Sequence, residues 1–226
     1  MNVIVFASRK GGTGKSTLAA HLAAHVHKPS RPCLLIDADP QGSLTLWHRL
    51  RESGEPPLKN GLRGINSILQ AAARENVEWV FVDTPPLMNT AVTDIIRAAT
   101  LVVIPARPSV FDLNAIKETI STVRRARRPF AVVLNATPPK RLNDESPMVT
   151  QARESLASLD VPVWSGQITH RANFSLSLAE GEGVKEYDSN SHAADEIGRL
   201  WSAIDRSIKA IQGAYDGAAK HHKKAA

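Results

Sequence analysis

The chain of 226 residues contains one cysteine, Cys33, which excludes an intramolecular disulfide framework. A single thiol also cannot build a cysteine-ligated iron–sulfur cluster or a cysteine-rich zinc site within one chain. No apolar run approaches the ~18 residues of a membrane-spanning helix. No apolar leader precedes the first strand-like run, and together with the lone thiol this sets the expectation of a reducing cytoplasm. Internal repeats and an interdomain linker are also missing. What is present is ordinary for a globular protein: 42% hydrophobic and 22% charged residues, enough apolar matter to bury a substantial core. The formal charge of +6 favours acidic partners such as nucleic acid, and equally serves solubility. It is not gathered in one half, since residues 1 to 113 carry 12 Lys/Arg against 9 Asp/Glu and the remainder 16 against 13. Any anion-binding surface must come from local clusters. Two stand out: Arg124, Arg125, Arg127 and Arg128, and the tail Lys220, His221, His222, Lys223 and Lys224.

Short Val/Ile/Leu-rich runs alternate with longer amphipathic segments as far as about residue 168, the pattern of βα units around a parallel sheet. The runs at 3–7, 33–37, 79–83, 101–105 and 130–135 read as strands covered on both faces. Residues 162–168 predict one or two further short strands. Helices are predicted at about 15–26, 43–52, 62–74, 89–98, 111–127 and 147–158, followed by a long last helix. On that helix Ile197, Leu200, Trp201, Ile204, Ile208 and Ile211 fall within one arc of about 100°, opposite Arg199, Arg206 and Lys209. The expected architecture is a single α/β domain over residues 1–213, a P-loop fold with a mostly parallel twisted sheet and helices on both faces. A basic tail, 214–226, is expected to be frayed. The stretch 137–147, with three prolines, reads as a surface loop inside the domain.

The segment Lys10-Gly11-Gly12-Thr13-Gly14-Lys15-Ser16-Thr17 follows a strand and opens a helix, the context in which a glycine-rich motif is credible. Its glycines let backbone N–H groups turn inward around a polyphosphate. The following helix directs its positive end at the same place, and Lys15 adds a full charge. Ser16 is positioned to offer its hydroxyl to Mg²⁺. Against the strict G-x-x-x-x-G-K-[ST] pattern the first glycine is replaced by Arg9, and an additional lysine, Lys10, has no role at a single nucleotide. A second nucleotide would give it one.

Asp37-Ala38-Asp39-Pro40-Gln41-Gly42 follows the second predicted strand, and Asp83-Thr84-Pro85-Pro86 follows the run at 79–83. The C-terminal edge of an open parallel sheet is where ligands bind, so three carboxylates converge on the phosphate loop. Carboxylates beside a polyphosphate require an intervening cation, which argues for Mg²⁺. Asp83 fits the acid that holds the metal, Asp37 its hydration shell, and Asp39 the orientation of the attacking water. The competing reading, in which aspartates cap helices, is strongest for Asp39. Asn135 is a candidate for reading the base through its amide, with a turn role as the alternative.

Together these residues resemble the ParA/MinD family of deviant-Walker ATPases, and within it the small ParA-type partition or positioning proteins. Residues 10–17 are similar to the family's deviant Walker A box, 37–42 to its second box and 83–86 to its Walker B. Val132-Val133-Leu134-Asn135 resembles the adenine-contacting strand end, and 186–194 the segment leading into the final helix. Arg171, in Thr169-His170-Arg171-Ala172, resembles a family arginine within a loose local match. The resemblance implies a homodimer around two ATP molecules, with Lys10 reaching the phosphates of the other subunit. It also implies Mg²⁺-dependent, slow ATP hydrolysis stimulated by a ParB-like or adaptor protein, and non-specific DNA binding in the ATP form, hence nucleoid association. By the same carry-over Lys15 and Ser16 hold phosphate and metal, Asp39 positions water and Asp83 organises Mg²⁺. With the loop opening at residue 9, a fused N-terminal DNA-reading domain is not expected.

Three rivals share the fold, and a fourth shares the phosphate loop. A MinD-like protein needs large apolar residues on one face of a terminal helix, and residues 214–226 offer mainly alanine, so no membrane is expected. An electron carrier lacks its cysteines, and a regulatory tyrosine kinase its tyrosine cluster. A metabolic phosphoryl-transfer enzyme would need a substrate pocket from residues 53–66 or 137–147, and Lys10 would have no evident task in it.

Overall fold

The computed structural model describes residues 1–142 and 144–224, with side chains through residue 214. Six strands form one sheet: β1 (Asn2–Phe6), β2 (Cys33–Asp37), β3 (Leu58–Asn60), β4 (Trp79–Asp83), β5 (Leu101–Ala106) and β6 (Phe130–Leu134). Every pairing is parallel, in the order β3-β2-β4-β1-β5-β6. The nine helices among the described residues are α1 (Lys15–Val26), α2 (Ser43–Leu50), α3 (Ile65–Arg74), α4 (Thr90–Ala98), α5 (Val110–Arg125), α6 (Pro147–Ala157), α7 (Ala172–Ala179), α8 (Val184–Tyr187) and α9 (His192–Lys224).

The period-2 geometry of strands sorts their side chains into two cores. Val3 and Val5 of β1, Val80 and Val82 of β4, and Val102 and Ile104 of β5 face α3, α4, α5 and α6. Ile4, Phe6, Trp79, Phe81, Leu101 and Val103 face α1, α2 and α9. The second layer carries the larger side chains, and Trp79 meets Trp201 of α9 edge-on with centroids 4.6 Å apart. The predicted arc of α9 is the buried one: Ile197, Leu200, Trp201, Ile204 and Ile208 all lie in this core.

Three expectations change. The short edge strand β3 was not anticipated, because Leu58-Lys59-Asn60 lacks an apolar run and is held only by pairing with β2. Residues 162–168 form no strand. Isolated bridges join Val132 to Val163 and Thr137 to Thr169. Between them the Arg153 guanidinium draws the carbonyls of Trp164, Ser165 and Gly166 out of any ladder. Between that segment and α9 lie α7 and α8, which were not predicted. The helical backbone of α9 continues past Gly213 to Lys224. The tail's basic side chains, from Lys220 to Lys224, lie outside the described residues.

Candidate nucleotide site

The site forms where β1 ends. Gly14 adopts φ 97° as the N-cap of α1, and Gly12 adopts φ 74°, conformations that L side chains rarely reach. The loop therefore turns its N–H groups inward at the positive end of a 12-residue helix. Lys15 is 6% exposed. Its burial lowers the ammonium pKa, and Asp83 and Asp39 oppose that shift. Thr13 is also buried, its hydroxyl without a partner.

Parallel pairing sets Asp37 opposite Asp83 at the C-terminal ends of β2 and β4. Asp83 is fully buried. Its Oδ2 accepts from Ser16 Oγ at 2.5 Å, while Oδ1 has no partner. Burial pushes its carboxyl up to about 7; the Ser16 bond and Lys15 pull down, and Asp37 and Asp39 push up. An unpartnered carboxylate oxygen beside a serine hydroxyl is a pair of hard donors suited to Mg²⁺. Among the described residues no three His, Cys, Asp or Glu side chains converge to hold a metal alone, so phosphate and water would complete such a shell.

Asp37, expected in the metal's hydration shell, has protein partners for both carboxylate oxygens. Its Oδ2 accepts from both the backbone N–H (2.8 Å) and the hydroxyl (2.7 Å) of Thr45, and its Oδ1 from Asp39 N–H. It anchors α2 to the sheet edge. Asp39 is half-buried on the cavity wall and accepts from Gln41 N–H at 3.0 Å. Asn135 lies under the loop: its amide nitrogen donates to Thr13 C=O at 2.7 Å, and a Cβ on Gly14 would meet that nitrogen at 2.1 Å. The donor half of the expected base-reading amide is thus engaged with the loop, and Asn135 braces the Gly-rich turn.

Lys10 is half-exposed and tethered. Its Nζ donates to Asp112 Oδ2 at 2.7 Å and lies 5.9 Å from the ring centroid of exposed Phe111. Asp112 is buried, and Ser109 Oγ bonds the same oxygen. Arg9 pairs with Glu118. Arg171 pairs with buried Glu196 at 3.0 Å, and Glu196 also accepts from Thr169 N–H, tying the loop before α7 to α9.

The cavity has a volume of about 510 Å³ and runs from Gly11–Thr17 to an apolar end formed by Trp47, Phe174 and Leu178. Residues 11, 12, 14–17, 39 and 135 line it, and Asp83 lies behind Ser16. The apolar end and Arg107 were missed from the sequence, because α7 carries no motif and Arg107 follows β5 without a glycine or acidic signature.

With this geometry in view, the similarities to known proteins are specific. Residues 4–184 match the CobQ/CobB/MinD/ParA nucleotide binding domain. The chain belongs to that family. The maintenance of carboxysome distribution protein A of Halothiobacillus neapolitanus is 30% identical over 212 residues, which span 89% of this chain and 95% of that protein. The apo McdA structure from Cyanothece superposes with a TM-score of 0.72 at 19% identity, covering 90% of this chain and 99% of the other. MinD from Pyrococcus horikoshii, solved with Mg-ADP, gives a TM-score of 0.72 at 15% identity, covering 93% and 98%. The fold is the MinD/ParA P-loop fold, and its glycine-rich loop follows β1.

Proposed function

We propose that the protein is an ATP-dependent positioning ATPase of ParA type. It dimerises around two ATP molecules, binds DNA without sequence preference in that state, and distributes a cargo through a stimulating partner. The observation that carries this reading is Lys10, a second loop lysine that does not line the cavity of its own subunit and is held instead by Asp112 of α5. Its transfer to a neighbour's nucleotide would break the Asp112 pair. The likeness to a carboxysome distribution protein supports the positioning role.

In hydrolysis, the Gly12–Lys15 N–H groups and the Lys15 ammonium hold the phosphates. Mg²⁺ at Ser16 and Asp83 would supply charge neutralisation between the phosphate oxygens. Asp39, the least engaged of the three aspartates, orients the water that attacks the γ-phosphorus. The bond to the β–γ bridging oxygen breaks and ADP leaves. Asp37 keeps α2, and with it the Asp39 turn, in register.

For DNA, the structure of the basic surface narrows the candidates. Arg124 caps the carbonyls of Leu159 and Asp160, and Arg199 and Lys209 pair with Asp195 and Asp205 one turn earlier. Arg125, Arg127 and Arg206 are exposed without such acidic partners among the described residues, and with the C-terminal lysines they form the proposed phosphate-contacting set. The protein is then cytoplasmic and nucleoid-associated when ATP-bound. No described helix is long and apolar enough to cross a membrane.

The test is light scattering with Mg-ATP under conditions that block hydrolysis. Wild-type protein is expected to double in mass, and Lys10→Ala to remain single. A wild-type chain that stays single, or a Lys10→Ala variant that still doubles, overturns the reading. Pelleting with anionic liposomes would favour the MinD-like alternative.

A further inference from the structure

Around the phosphate loop the cations are nearly all engaged. Arg9 is paired with Glu118, Lys10 with Asp112 and Arg171 with Glu196, while Lys15 is buried within the loop itself. Arg107 differs from them. It is exposed, no carboxylate pairs with it among the described residues, and it lines the cavity. Its guanidinium lies over the loop: a methyl group at Gly12 would sit 3.8 Å from Arg107 Nη2.

The backbone beneath Arg107 is fixed. Ala106, the last residue of β5, accepts from Asn135 N–H at 2.9 Å, Arg107 C=O accepts from Ser109 N–H at 2.8 Å, and Pro108 is buried. A free, planar, always-charged group on a rigid base is the arrangement that recognises a phosphate bidentately. Its place in the sheet adds direction. β1 lies between β4 and β5, so the loop after β1 has Asp83 and Ser16 on one flank and Arg107 on the other. The helix end of the loop, Gly14 to Ser16, takes the inner phosphates, which leaves the Gly12 side facing the terminal one.

We propose that Arg107 binds the γ-phosphate of ATP from the flank opposite Asp83 and acts as a catalytic residue in its hydrolysis. This rests on the ATPase reading above. The guanidinium distinguishes ATP from ADP in the ground state. As water adds to the γ-phosphorus and the bond to the bridging oxygen lengthens, it balances the charge on the equatorial oxygens that the metal flank does not reach. ADP and inorganic phosphate leave, and the water's proton goes to phosphate. Arg107 itself transfers none.

The experiment compares wild type, Arg107→Ala and Arg107→Lys by titration calorimetry with ADP and with ATPγS, each with Mg²⁺, and by single-turnover ATP hydrolysis. Arg107→Ala is expected to bind ADP within about twofold of wild type, to lose about tenfold or more in ATPγS affinity, and to hydrolyse at least about a hundredfold more slowly. Arg107→Lys should recover part of the ATPγS preference and little of the rate, because a point charge lacks the planar fork. The side chain is exposed, so both variants should melt like wild type; if Arg107→Ala does not, Arg107→Gln replaces it. An unchanged ATPγS-to-ADP ratio, an equal loss for both nucleotides, or an unaltered rate overturns the assignment. Failure of the underlying reading shows separately, as a wild type that binds neither nucleotide, and the assignment falls with it.

Discussion

At the residue scale the site depends on contacts that span the chain. Asn135 and Thr13 are 122 positions apart, yet the amide of one closes the loop of the other. Gly14 is the residue this contact constrains most, because it combines φ 97° with Asn135 Nδ2 at 2.1 Å from where a Cβ would stand. Gly14→Ala should therefore strain both the dihedral and the brace. Stability is expected to fall by about 1–3 kcal/mol in urea titration, and affinity for a fluorescent ATP analogue by about tenfold or more. Wild-type affinity in that variant would mean that the loop relaxes around the methyl group and that the brace is dispensable. The glycine, lysine and serine of the loop were legible because a phosphate cradle has a local signature. The partner of Lys10 was not. Ser109-Val110-Phe111-Asp112 has the form of a helix-capping box, and nothing local indicates that the same carboxylate also receives a lysine from 102 positions away.

At the element scale, α1 is both the base of the loop and a core helix, and it carries one buried histidine, His21, and one half-buried, His25. His21 touches Phe174 of α7, with centroids 5.2 Å apart, and its Nδ1 accepts from Val184 N–H of α8 at 3.2 Å. Burial brings His21 from 6.5 to about 4. Burial, with repulsion from Lys185 and Lys28, brings His25 to about 4 as well. Between pH 6.5 and 4 the unfolded chain binds the protons that the folded one refuses, so stability rises with pH across this window and is lost as pH falls through it. The slope is up to about 1.4 kcal/mol per pH unit for His21, and less for half-buried His25, where solvent screens the charge. Melting temperature should drop steeply from pH 6.5 to 4.5, and His21→Gln should flatten that decline. An unchanged slope in the variant would assign the acid sensitivity elsewhere. The helices themselves were mostly readable from apolar spacing, and α9 was readable face by face. β3, α7 and α8 were not: β3 and α8, with three and four residues, are too short to show a period, and Phe174-Ser175-Leu176-Ser177-Leu178 of α7 alternates with a period of two instead of the helical one.

At the scale of the whole molecule, the charge of +6 is spread over both halves, and the structure ties up Arg124 in a cap and Arg199 and Lys209 in i,i+4 pairs. If the proposed DNA contact uses the remainder, affinity for random-sequence duplex in Mg-ATP should fall by roughly 0.9 log units per log unit of salt for each phosphate neutralised. Simultaneous Arg125→Ala and Arg127→Ala should lower that slope. Salt-independent affinity, or no affinity in the ATP state, would remove DNA from the proposed cycle while leaving the nucleotide site intact.

The sequence by itself determined the layered α/β plan, the glycine-rich loop after β1 and the aspartates at the strand ends. These follow from hydrophobic period, glycine conformational freedom and the rule that ligands meet a parallel sheet at its C-terminal edge. Only the tertiary structure decided how those groups are used. It turned Asp37 to Thr45, set Asn135 under the loop, gave Lys10 to Asp112 and left Arg107 free above Gly12. The reason is physical: a pattern along the chain reports the environment a residue needs, whereas its partner is chosen by which strands lie side by side, and the order β4-β1-β5 brings together residues that sequence separation conceals.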